Sequence, residues 1–356
     1  MRRIVVGSRQ SALALTQTGY VIDWLTAASI AHGLECRFEV KKIVTKGDRI
    51  LDVSLSKVGG KGLFVKEIEQ ALLDGEIDLA VHSMKDMPSE LPEGLVIGAV
   101  PKREDPRDCL VTRNGGGLAA IPPGGRVGTS SLRRACQLRA ARPDLAIETL
   151  RGNIDSRLRK LETEGLDGIV LAAAGLHRMN WSNRISAYLP PEICLPAVGQ
   201  GALAVECRGN DSFVLELLRR IHHEETGRAA AAERSFLHTL QGGCQVPIGA
   251  YAEAAASWPG AGQEGAGSEE GGTEGVWSDE AGQEKAGQGG AGSEEGGAGG
   301  RPLVLTGMVG SADGRQLLKE TLSGEDPAAL GNELAQRLIA RGADRILAEA
   351  RSEAHE

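Results

Sequence analysis

The feature that most limits what this chain can become is the regular alternation, through its first half, of short apolar runs with helical segments. Residues 4–6, 38–44, 77–81, 95–100, 109–112, 126–128, 146–149 and 168–172 read as strands, and 11–31, 66–73, 131–141 and 154–164 as helices. Such alternation predicts α/β domains with mostly parallel sheets, because parallel neighbours need a crossover and the crossover is usually a helix. Ligands on sheets of this kind bind at the carboxyl ends of the strands.

At 356 residues the chain exceeds one hydrophobic core, and two or three domains are expected. Two stretches rich in Pro or Gly, 101–106 and 189–201, read as crossovers between two α/β lobes that form a hinged cleft. The expected division is 1–101 with 202–219 as the first lobe, 102–201 as the second, and 220–356 as a C-terminal α+β domain. In that last domain an alanine-rich helix follows Thr226, strands are expected at 246–252, 303–309 and 317–322, and a helix at 327–341 closes the chain. Residues 253–301 are low-complexity: GAGSEEGG occurs at 265–272 and again at 290–297. A duplicated Gly/Glu tract cannot bury a core, so it is expected to be a disordered expansion of a hairpin loop.

The formal charge of −8 misleads, since 253–300 alone carries a net −9 from ten acidic residues against one lysine, and the remainder is near neutral. Near-neutral charge and 3% aromatics argue against nucleic-acid binding. No apolar run reaches the length of a membrane span. The N-terminus reads as a first strand, not a signal peptide, so a cytoplasmic location is expected. The six cysteines show neither C-x-x-C spacing nor a histidine at ligand spacing, so no metal site is expected. Most should be small buried hydrophobes.

Three strand-to-helix junctions carry arginine: Arg9 before the run from Ser11, Arg133 and Arg134 after Gly128-Thr129-Ser130-Ser131, and Arg151 and Arg157 around Asn153. A helix N-terminus carries a partial positive charge and unpaired N–H groups, so cations there ask for an anion. Capping hydroxyls, free N–H groups and guanidinium forks together suit a ligand with several carboxylates or phosphates. Arg139 and Arg142, by contrast, sit in a last turn before Pro143, where the dipole welcomes them. Arg133 and Arg134 have no such reason, unless one meets solvent or an interdomain carboxylate. The segment 54–62 lacks phosphate-loop spacing and reads as a lid over the cleft, with Lys57 and Lys61 available for anions. Asp86, after the strand ending near Val81, either pairs with Lys85 in solvent or faces the cleft among cations and accepts a ligand N–H. Cys244 follows two glycines that allow its thiol to swing into the open, where cations favour the thiolate.

Together these motifs resemble the porphobilinogen deaminase (hydroxymethylbilane synthase) family. The matching stretches are GSRQSALALTQ (7–17), TKGD (45–48), GGKGLFVKEIE (59–69), HSMKDMP (82–88), GTSSLRR (128–134), RGNIDSRL (151–158), PAVGQGALAVECR (196–208) and LQGGCQVPIGAYA (240–252). The resemblance implies two doubly wound lobes like type II periplasmic-binding proteins, plus a C-terminal domain bearing the cofactor cysteine. It further implies a dipyrromethane cofactor held through Cys244, Asp86 as the catalytic carboxylate, and porphobilinogen as substrate. Arg9, Ser11, Ser83, Lys85, Thr129, Ser131, Arg133, Arg134, Arg151, Arg157, Arg178 and Gln200 would bind its carboxylates or line the site. Phe64 in the lid would shield the reacting ring. A monomer without membrane or nucleic-acid partners is expected. The competing reading is a two-lobed carboxylate-binding protein without catalysis.

Overall fold

The computed structural model of the chain describes residues 2–49, 62–243, 246–255 and 301–355. Lys57, Lys61, Cys244 and nearly all of the Gly/Glu tract therefore lie outside the described residues. The chain begins β1 (Arg2–Arg9), α1 (Ala12–Ala31), β2 (Cys36–Ile43), the single turn α2 (Lys46–Arg49), α3 (Lys66–Leu73), β3 (Leu79–Ser83) and β4 (Leu95–Ala99). It continues β5 (Asp108–Thr112), β6 (Arg126–Gly128), α4 (Leu132–Ala141), β7 (Ala146–Glu148), α5 (Ile154–Thr163), β8 (Gly168–Ala172), α6 (Ala173–Arg178) and β9 (Ala187–Leu189). Then follow β10 (Leu203–Arg208), α7 (Ser212–Arg219), α8 (Glu224–Thr239), β11 (Ile248–Ala254), β12 (Leu303–Gly310), β13 (Leu317–Gly324), α9 (Pro327–Ala340) and α10 (Ala343–His355).

Two five-stranded sheets share one plan, with orders β2-β1-β3-β10-β4 and β7-β6-β8-β5-β9. In each, one strand runs against the other four: β10 is antiparallel to β3 and β4, and β5 is antiparallel to β8 and β9. That strand is the first one entered after a crossover, β5 on leaving the first sheet and β10 on returning to it. The expectation of mostly parallel sheets holds with this one exception per sheet. β10 escapes a periodicity reading because Leu203 to Cys207 is buried throughout and shows no alternation.

Both faces of the first sheet are covered. Val21 and Leu25 of α1 with Val214 and Leu217 of α7 pack on Ile4 and Leu79, while Ile68 and Leu72 of α3 pack on Ala80 and Leu95. Each fully buried aliphatic side chain contributes about 1.5–3 kcal/mol. The third sheet, β11-β12-β13, is fully antiparallel and backs onto α8 and α9 through Phe236, Leu305 and Leu334.

The two crossovers touch. Glu104 N–H donates to the Gly201 carbonyl at 3.2 Å, and Gly201 sits at φ +86°, where a β-carbon would collide with the Glu104 carbonyl. Buried Glu233 of α8 ties them to the C-terminal domain. It accepts from both terminal nitrogens of Arg103 (2.6 and 3.1 Å), from Gly199 N–H (2.6 Å) and from Ala252 N–H (2.9 Å).

Candidate active site

The strand-to-helix junctions form as their capping residues require. Ser11 accepts from Ala14 N–H at 3.2 Å, Ser131 from Arg134 N–H at 3.4 Å and Asn153 from Ser156 N–H at 2.8 Å. Each cap follows the carboxyl end of a parallel strand, β1, β6 or β7, so the junctions open the cleft side of the two sheets. The Thr129 hydroxyl accepts from Ser131 N–H at 3.2 Å and fixes the turn between β6 and α4.

On the first lobe, β3 ends at Ser83 and a single 3-10 turn, Met84–Asp86, carries Lys85 and Asp86. Asp86 Oδ2 lies 3.8 Å from Arg9 Nη1. The other edge of Arg9 grips Asp48, with Nε at 3.1 Å and Nη2 at 2.5 Å from Oδ1, and the Phe64 ring covers its face at 4.2 Å. Burial opposes ionisation of Asp48, but Arg9 and the Thr45 hydroxyl (2.8 Å) hold its carboxyl below the usual range. Arg9 is thus presented rigidly to Asp86. Ser83 is fixed by the buried Gln17 amide at 3.1 Å. Arg9, Ser11, Gln17, Phe64, Ser83 and Asp86 line a cavity of about 60 Å³.

Lys85 links this corner to the second lobe. Its Nζ lies 3.4 Å from Gln200 Oε1, and the fully buried Gln200 donates to the Pro106 carbonyl (2.7 Å) and to Asp108 Oδ1 (2.9 Å). Burial, reinforced by Arg134, lowers Lys85 to about 8 against the opposing pull of Asp86.

Asp108 pairs with two of the arginines expected to bind ligand carboxylates. Arg133 and Arg134 are both satisfied from within their own lobe: Arg133 Nη1 meets Asp108 Oδ2 at 2.6 Å, and Arg134 Nε and Nη2 meet Oδ1 at 2.9 and 2.7 Å. Arg133 also donates to the Leu195 carbonyl, and Arg134 to that of Val170. Burial works against the charge on Asp108, yet the two guanidiniums hold it far below the carboxylate range. Arg133 in turn stays above its ordinary value despite burial. Sequence reasoning missed Asp108 because its partners lie 25 and 26 positions further along the chain.

Arg157 differs. Its Nε is buried with no hydrogen-bond partner among the described residues. Burial lowers it to about 10, with Arg134 and Arg151 adding to the effect and Asp86 opposing it. Burial also lowers half-buried Arg151. Arg178 stands apart from this group. Buried at the end of α6, it donates to the Gly201 carbonyl at 2.6 Å and so braces the crossover. Of the cysteines described, Cys109, Cys136, Cys194 and Cys207 are buried, free thiols.

Near Asp86, then, stand Arg9, Lys85 and Arg157, and the Arg157 Nε has no hydrogen-bond partner among the described residues. That donor set fits a polycarboxylate such as the dipyrromethane the sequence resemblance implies, whose rings each carry an acetate and a propionate.

Comparison with known proteins points the same way. Residues 4–216 match the family model described as porphobilinogen deaminase, dipyromethane cofactor binding domain, and residues 228–257 match the model of the porphobilinogen deaminase C-terminal domain. Porphobilinogen deaminase of Paenibacillus macerans is 56% identical over 96% of this chain and 98% of that protein. The Brevibacillus brevis protein of the same name is 53% identical over 97% and 96%. Among solved structures, the second substrate binding domain of a putative amino acid ABC transporter from Streptococcus pneumoniae covers 62% of this chain and 92% of its own. It does so at 14% identity with a TM-score of 0.40.

Proposed function

This chain belongs to the porphobilinogen deaminase family, and we propose that it works as a cytoplasmic monomer condensing four porphobilinogen molecules head to tail, releasing ammonia at each step and hydroxymethylbilane at the end. Porphobilinogen is a pyrrole with an acetate, a propionate and an aminomethyl arm. Asp86 accepts the pyrrole N–H, and its negative charge stabilises the cation that develops on the ring as ammonia departs. In a site shielded from water such a preorganised charge is worth far more than in bulk solvent. Arg9, already locked by Asp48 and Phe64, sets the position of Asp86 and is at hand for a substrate carboxylate. Ser11 and Ser83 offer hydroxyls in the same cavity. Lys85, Arg151 and Arg157 take further carboxylates.

The dipyrromethane, attached in this reading through Cys244, supplies when bound the free α-carbon on which the chain grows. Every added ring brings two more carboxylates, which accounts for a cleft lined by several cations. The single observation that carries the reading is Arg157, a buried guanidinium whose Nε has no partner among the described residues and which lies in electrostatic reach of Asp86. A buried charge left this way costs stability unless a ligand completes it.

A two-lobed binding protein would use the arginines but leaves Asp86 and the C-terminal domain without a task. Its relatives would not be deaminases over nearly their full length. The test is ammonia release from porphobilinogen by the purified protein and by Asp86→Asn. The variant should bind substrate yet release ammonia about 100-fold or more slowly. Equal rates would remove Asp86 from the chemistry, and no ammonia from either protein would refute the activity.

A further inference from the structure

On the opposite face of the first sheet from α1 lies a group of titratable side chains that the proposed chemistry does not use. Glu206 of β10 is fully buried, and its Oε2 lies 3.0 Å from Nε2 of His82, itself 4% exposed. Glu69 of α3 is 6% exposed on the same face. One oxygen of each carboxylate, Glu69 Oε1 and Glu206 Oε1, is buried with no hydrogen-bond partner among the described residues.

The surroundings supply little to offset two negative charges. α3 presents Lys66 to Glu69, and β3 presents His82. From α8, Arg234 feels Glu206 but donates to the Ser89 carbonyl at 3.1 Å. β1 and β4 contribute apolar contacts to α3 through Val5 and Leu95. An unsatisfied buried carboxylate oxygen is costly, and two on neighbouring acids more so. A proton on Glu69 removes one of the two buried charges and with it their mutual repulsion.

We propose that Glu69 is held as a protonated acid when α3 is docked on the sheet, and that its ionisation loosens α3 and with it Phe64. The mechanical link is short. α3 starts at Lys66, Val65 before it is fully buried, and Phe64 lies on Arg9 at 4.2 Å while the Leu63 carbonyl accepts from Gly47 N–H at 2.8 Å. Glu69 is therefore a positioning residue. It reaches the cleft only through the helix it docks, whatever is turned over there.

The sign of the pH dependence follows from linkage. Burial, with Glu206 adding to it, raises Glu69 from 4.5 to about 7. The docked state is favoured fully below 4.5, loses ground as pH rises between 4.5 and about 7, and is level above that. Opening of α3 should increase by up to about tenfold per pH unit within this window.

Hydrogen-exchange protection of the α3 amides, corrected for intrinsic exchange, tests this across about pH 5 to pH 8 in the full chain and in Glu69→Gln. In the wild type protection should fall up to about pH 7 and then level. In Glu69→Gln, which keeps the shape and cannot ionise, it should be flat and higher at about pH 8. Parallel profiles in the two proteins would overturn the proposal. Should the variant not fold, carbon NMR of glutamate-labelled wild type reads the same proton. A carboxyl titrating near 7 supports the proposal, and none above the ordinary glutamate range refutes it.

Discussion

Asp108→Asn is the substitution whose cost the structure sets most clearly. The carboxylate accepts from Arg133 at 2.6 Å, from Arg134 at 2.9 and 2.7 Å and from Gln200 at 2.9 Å, all in the buried interior of the second lobe. Asparagine keeps one acceptor oxygen but turns an N–H₂ toward a guanidinium and leaves two buried cations without a counter-charge. Removing one partner of a buried pair costs about 3–5 kcal/mol, and here one carboxylate serves two arginines, so the upper half of that range applies. For a cooperative unit of roughly 150–250 residues this lowers the melting temperature by on the order of 10 °C. Because the folded-state value of Asp108 is depressed, its contribution is fully present above the unfolded value of 3.8 and is lost as pH falls below it. The gap between wild type and variant should stay constant from neutrality down to that point and close only in stronger acid. Calorimetry and denaturant titration of both proteins check this. A loss below about 1 kcal/mol at neutral pH would refute the view that Asp108 neutralises Arg133 and Arg134.

Three further outcomes follow from the same geometry. Arg157→Met should leave the ligand-free protein as stable or more stable by about 1 kcal/mol, while porphobilinogen turnover falls about tenfold or more, since a buried guanidinium whose Nε lacks a partner among the described residues is replaced by an apolar chain; thermal melts beside an ammonia assay decide it. Lys85 loses its proton as pH rises through about 8, so substrate affinity should weaken above that value and the dependence should vanish in Lys85→Met, as read from KM against pH. Replacing residues 256–300 by a short turn should leave turnover within about twofold, because Ala254 pairs with Leu303 and Ala255 N–H donates to the Pro302 carbonyl at 2.9 Å, closing an antiparallel hairpin of ordinary reach.

Much of the architecture was legible because it is local. The strands of the first half alternate with capped helices, and Ser11, Ser131 and Asn153 start their helices where the sequence places them. The elements missed include two amphipathic helices, α7 and α10, the second of which closes the chain beyond the helix expected at 327–341, and three elements without a readable period. β10 is buried on both faces, while α6 and β9 are too short to show one. Partner choice was the other blind spot. That Arg133 and Arg134 share Asp108, or that Gln17 fixes Ser83, depends on residues 25, 26 and 66 positions apart, and no local pattern announces such pairs. Arginine at a helix start asks for an anion, and Asp48 meets Arg9 while Asp108 meets Arg133 and Arg134. It could not say which arginines the chain itself would satisfy, and among the described residues Arg157 keeps a buried donor without a partner.

Attachment of a dipyrromethane to this chain is read from the intact mass of the denatured protein, followed by peptide mapping. An excess equal to one dipyrromethane is expected, located on the peptide containing Cys244. A Cys244 that is unmodified and remains so after incubation with porphobilinogen would contradict it.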